Sequence, residues 1–117
     1  MSRTLEEIMV QRRSIQEVRD EVHLWMEAQG IKPMEDREDF IKGRLGIPGN
    51  LGLTAPKYFE IRLNPKENGV LVHTEGWIGL WGGEQGFSKG AFLGGIPRRE
   101  GWKVIENLWN RLKAISE

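Results

Sequence analysis

The stretch Gly82-Gly83-Glu84-Gln85-Gly86-Phe87-Ser88-Lys89-Gly90 is where residue types and spacing come closest to a known chemistry. Glycines let several backbone N–H groups converge on an anion, and a lysine can reach the terminal phosphates of a nucleotide. The order is wrong for nucleotide hydrolysis. That chemistry needs Gly-Lys-Ser/Thr entering a helix, whereas Ser88-Lys89-Gly90 runs into more loop, outside any strand–helix–strand unit. Two readings remain: a structural glycine loop, or a loop that docks a ligand or partner. Phe87 and Phe92 are then either core residues or stacking platforms for nucleic-acid bases.

Arg98 and Arg99 follow at the start of an expected helix, where two cations oppose the helix dipole unless an anion lies nearby. With Lys89 they form a candidate site for a phosphate, a nucleic-acid backbone or a carboxylate. His23 and His73 offer less. Glu75 is the nearest carboxylate to His73, but no metal-ligand spacing and no positioned nucleophile accompany either histidine. An enzyme built on this chain requires a pocket lined by His73, Glu75 and Glu84. Glu35, Asp36, Glu38 and Asp39 form the densest acidic cluster; they fit no calcium-loop pattern and read as the solvated start of a short helix. No catalytic set, metal site or cofactor is expected.

These residues need elements to position them. Thr4 with Glu7 suggests a capping box, and Leu5, Ile8, Ile15, Val18, Val22 and Trp25 recur at helical spacing up to Gly30 and Pro33. The pattern predicts one long helix over residues 4–29, although Ser14 with Glu17 is a second capping box and a break near Arg13 competes. Ile8, Ile15, Val22 and Trp25 approximate a heptad seam that faces either the chain's own sheet or a second copy. A short helix is expected over 35–42. The alternation of Phe59, Ile61 and Leu63, the Asn68-Gly69 turn, Val70–Thr74 and Trp77–Trp81 predict a three-stranded antiparallel meander over 57–81. Pro97 opens a last helix over 97–115. Glycines at 43, 46, 49 and 52 mark an ordered loop rather than collagen.

The expected architecture is one α+β domain spanning 1–117, a two-layer fold with the meander packed by long N-terminal and C-terminal amphipathic helices. Its 117 residues are 38% hydrophobic and 29% charged, with 17 basic against 17 acidic side chains. That balance argues against a whole-surface footprint for nucleic acid or anionic lipid. Residues 1–42 are acidic and 82–117 mildly basic, so the two parts can attract within one chain or between two. Absence of cysteine excludes disulfides and thiolate chemistry. Without a bilayer-spanning apolar run or a signal sequence, a cytoplasmic location and no membrane partner are expected. The function expected is a small non-enzymatic interaction or assembly module that associates with itself as a homodimer. The alternative is binding of nucleic acid or a phosphorylated ligand through the glycine-rich loop with Lys89, Arg98 and Arg99.

Overall fold

The computed structural model describes residues 3–46, 55–80, 83–89 and 96–117. Among these residues it is a sheet-rich α+β fold with six antiparallel strands and two helices, which replaces the expected three-stranded meander packed by two long terminal helices. The elements run β1 (Thr4–Gln11), α1 (Ile15–Gln29), β2 (Lys32–Arg37), β3 (Phe40–Leu45), β4 (Lys57–Lys66), β5 (Gly69–Leu80), β6 (Gly83–Gln85) and α2 (Ile96–Ile115). The strand order is β1-β5-β4-β3-β2, with β6 also pairing to β5.

The expected helix over 4–29 is two elements. In β1 the β-branched Ile8 and Val10 alternate inward and are buried, a period of two that favours strand. Arg12 then turns the chain with φ 60°, and Ser14 caps α1: its hydroxyl accepts from the Glu17 N–H while the Glu17 carboxylate accepts from the Ser14 N–H. Of the two candidate capping boxes, the Ser14 one starts a helix and the Thr4 one does not. α1 ends at Gly30 in the left-handed conformation, φ 75°, with Ile31 N–H donating to Met26 O.

The short helix expected over 35–42 is a hairpin, β2 turning at Glu38-Asp39 into β3. Adjacent apolar residues misled here. Ile41 points into the core, and Phe40 lies on the opposite face beneath the guanidinium groups of Arg37 and Arg62. The hairpin predicted at Asn68-Gly69 joins β4 to β5, with Lys66 opposite Gly69. The strand expected at Trp77 is the continuation of β5, twelve residues long. Gly76 marks close packing rather than a turn, since a Cβ there would lie 2.2 Å from the Phe87 ring.

Both helices cover one face of the sheet. Val22, Trp25, Ile61, Val72, Ile105 and Leu108 form the centre of the core, with Trp25 edge-on to Phe59 at 5.3 Å. Two buried indoles keep their N–H groups bonded, Trp25 Nε1 donating to Val104 O at 2.9 Å and Trp109 Nε1 to Thr74 Oγ1 at 2.8 Å, whereas the buried Nε1 of Trp102 meets no acceptor among the described residues. The Thr74 hydroxyl passes the chain on to Glu6 O. Among the described residues, no helix is long and apolar enough to cross a membrane.

Candidate functional site: a charged network on the open face

Strand alternation places Tyr58, Glu60 and Arg62 of β4 on the face away from the helices, opposite Trp77, Glu75 and His73 of β5. Glu60 and Glu75 stand directly across from each other, a like-charge pair that destabilises a sheet unless a cation intervenes. Arg3 supplies it. Its Nη1 donates to Glu75 Oε1 at 2.9 Å and to Glu60 Oε1 at 3.2 Å. Its Nε and Nη2 donate to the two oxygens of Glu84 at 2.8 Å each, a bidentate pair. The guanidinium also lies 3.6 Å over the ring of Trp77, which is only 4% exposed and stacks on Tyr58.

The network continues along β5. His73 Nε2 lies 2.7 Å from Glu75 Oε2, and its Nδ1 lies 3.0 Å from Glu7 Oε2 on β1. Lys42 and Arg62 each approach Glu60 at 3.7 Å.

These contacts set the protonation states. The carboxyl of Glu84 is held below its usual range, chiefly by the hydrogen bond from Arg3. Burial, the largest influence on Glu75, pushes its carboxyl up, but donation from His73 and Arg3 outweighs it and the net shift is downward. His73 is raised: burial lowers it, and the hydrogen bonds to Glu75 and Glu7 overcome that. Near neutral pH Glu75 and Glu84 are therefore ionised acceptors, and His73 is biased towards its cation. These states oppose a role for His73 as a neutral general base and for Glu75 or Glu84 as a protonated general acid.

The chain matches no protein-family model and no curated protein.

Of His73, Glu75 and Glu84, the trio an enzyme would require, Glu75 and Glu84 meet on Arg3 of the same chain and His73 joins them through Glu75, rather than all three lining one cavity. The groove of about 670 Å³ beside them is lined by Glu7, Phe40, Arg62, Leu71 and His73 among others, and not by Glu75 or Glu84. Among the described residues, no group of carboxylates and histidines has the arrangement of a metal site.

The residues singled out in the sequence are placed as follows. Phe87 is buried, its ring against Gly76 and Gly101. Arg98 Nε donates to Gly86 O at 2.9 Å and Ser88 N–H to Arg98 O at 3.1 Å, so Arg98 ties the glycine-rich segment to α2. Lys89 and Arg99 are exposed. Val22 and Trp25 are fully buried, Ile8 is buried and Ile15 half-buried, so the seam faces the chain's own sheet and α2. His23 and Arg19 both hold Asp36, at 2.7 Å each, fastening α1 to β2. Glu35 pairs with Arg37 in β2, and Glu38 and Asp39 form the turn that follows rather than a helix start. Phe92, Trp81, and residues 47–54, 82 and 90–95 of the two glycine-rich stretches lie outside the described residues. Arg3, Glu60 and Trp77 as one site escape a sequence reading. The only local signal is alternation, which puts Glu60 on the solvent face of β4.

The two outer edges of the sheet differ. β2 carries Pro33, a bulge between Pro33 and Glu35, and the charges of Lys32, Glu35, Asp36 and Arg37, the usual guards against strand addition. Along β1 the odd-numbered residues turn their main chain outward. At the far end this is covered: Ser116 Oγ accepts from Gln11 N–H and donates to Met9 O, and Glu117 N–H donates to Gln11 O. At Leu5 and Glu7, nothing among the described residues covers it, and Leu5 is 59% exposed.

Proposed function

We propose that this chain is a small non-enzymatic interaction module that associates with itself. The observation carrying this reading is that the titratable groups converging on the open face are held by one another. Arg3 takes Glu60, Glu75 and Glu84, and His73 takes Glu7 and Glu75. Such a cluster fixes a surface and leaves no group poised to react with a substrate. An uncovered length of β1 beside it supports recognition through the sheet.

Binding of nucleic acid or a phosphorylated ligand through Lys89, Arg98 and Arg99 is less well supported, because Arg98 Nε already donates to Gly86 O. Absolute molar mass of the full chain, measured by light scattering from micromolar to millimolar concentration, tests the main reading. A mass rising to that of a dimer is expected. A monomer throughout removes self-association, and salt-sensitive binding of a single-stranded oligonucleotide would then favour the alternative.

A further inference from the structure

We infer that two copies of this chain join edge to edge through β1, antiparallel about a two-fold axis at Leu5, so that their sheets become continuous. The inference rests on the self-associating reading and specifies where and in which register the copies meet.

The segment Arg3-Thr4-Leu5-Glu6-Glu7 is self-complementary when run against itself in the opposite direction. Centred on Leu5, it sets Leu5 against Leu5 of the second copy, Arg3 against Glu7, and Thr4 against Glu6. Residues 3, 5 and 7 share the open face, as the pairing of Leu5 with Glu75 and of Glu7 with His73 requires. The seam thus carries an apolar pair at its centre and an opposite-charge pair on each side of it. Cross-strand pairs of both kinds stabilise a sheet. Centring one residue later would oppose Glu6 to Glu6, so charge selects the first register.

The atoms needed are free among the described residues. Arg3 uses four of the five N–H groups of a guanidinium on its own carboxylates, which leaves one on Nη2. Glu7 meets His73 through Oε2, which leaves Oε1 for the second copy. Leu5 and Glu7 present outward N–H and C=O groups, and the exposed Leu5 side chain gains cover. Ser116 and Glu117 occupy the outward positions of Met9 and Gln11, so the seam has a defined end. The guarded β2 edge offers no equivalent.

Charge exchange at the axis tests this. Leu5→Lys and Leu5→Glu each place like charges face to face, and each is expected to weaken dimerisation by about tenfold or more. An equal mixture of the two variants should recover a dimer, seen by sedimentation equilibrium. Amide hydrogen exchange on the wild-type chain gives a second measurement that needs no variant: protection at Leu5 and Glu7 should rise with concentration. A wild-type dimer whose mass is unchanged in both variants, with no added protection at Leu5, overturns the seam and leaves self-association standing. Variants that separate alone but do not recombine overturn this register. A wild-type chain that is monomeric at every concentration overturns both the seam and the reading beneath it.

Discussion

The two faces of the sheet are made by alternate residues of the same strands, yet they are held by different physics. On the covered face Phe59, Ile61, Val70 and Val72 meet Trp25, Ile105 and Leu108, and cohesion comes from apolar area removed from water. On the open face Glu75, Glu84, His73 and Arg3 remain partly wet around a buried Glu60, and cohesion comes from hydrogen-bonded charge. One residue links them: Thr74 lies between His73 and Glu75 in sequence, but its hydroxyl faces inward to Trp109. The covered face is insensitive to salt and pH and intolerant of lost volume. The open face tolerates changes of volume but depends on every charge having a partner.

The sharpest way to break the comparison is on the covered face. Phe59→Ala removes a ring packed against both Trp25 and Phe87 and leaves a cavity beneath the sheet. The expected cost is about 3–5 kcal/mol. The midpoint in a urea titration should fall accordingly, by the same amount in low and high salt. A loss that shrinks markedly with salt would show that the two faces are not separable in this way.

The counterpart on the open face is Arg3→Met, which keeps cover over Trp77 and strips the counter-ion from three carboxylates. Its cost is expected to be smaller, about 1–2 kcal/mol, because Arg3, Glu75 and Glu84 are partly exposed and screened, and the buried Glu60 keeps Lys42 and Arg62 at 3.7 Å. It should carry a signature that Phe59→Ala lacks. Wild-type stability contributed by Glu75 and Glu84, whose carboxyls are lowered in the fold, is present above their ordinary range near pH ~4.3 and lost as pH falls through the lowered values. The variant has less of this to lose, so the gap between it and the wild type should narrow on acidification. A gap that is constant with pH would mean that Arg3 acts by covering Trp77 alone.

How much of this was legible in the sequence follows from how local each signal is. The turn at Asn68-Gly69 and the helix Ile96–Ile115, expected over 97–115, depend on neighbours a few residues apart. β1 was hidden because Leu5 and Ile8 are three apart, as on a helix, and Ile8 stands two heptads before Val22 of the true helical stripe. The decisive local sign was the second capping box at Ser14. The β2–β3 hairpin was missed because Phe40 and Ile41 are both apolar, and a helix buries such neighbours on one side where a strand sends them to opposite faces. The site was the least legible part. Arg3 meets Glu84 across 81 positions and Glu75 across 72, distances at which no spacing rule operates. That Lys89, Arg98 and Arg99 drew attention instead reflects how cations near glycines resemble an anion site whether or not their donors are already used.

The finest discrimination within the open face comes from His73→Gln. His73 is faced by Glu7 from β1 and by Glu75 on its own strand, both within hydrogen-bond distance, and by Arg62 at the facing register position on β4. Its affinity for a proton is raised in the fold, so the charged form is the one that folding favours. The stability this adds is complete below the ordinary histidine value of about 6.5 and is lost as pH climbs through the raised value. Glutamine reaches the same carboxylates without titrating. The wild type should therefore exceed the variant by a few tenths to about 1 kcal/mol near pH ~6, discounted for exposure. The difference should fade on the alkaline side, in urea titrations run at steps across neutrality. A difference that grows with pH would mean that His73 serves the fold as a neutral ring. The link between β1 and β5 at Glu7 would then rest on the backbone ladder alone.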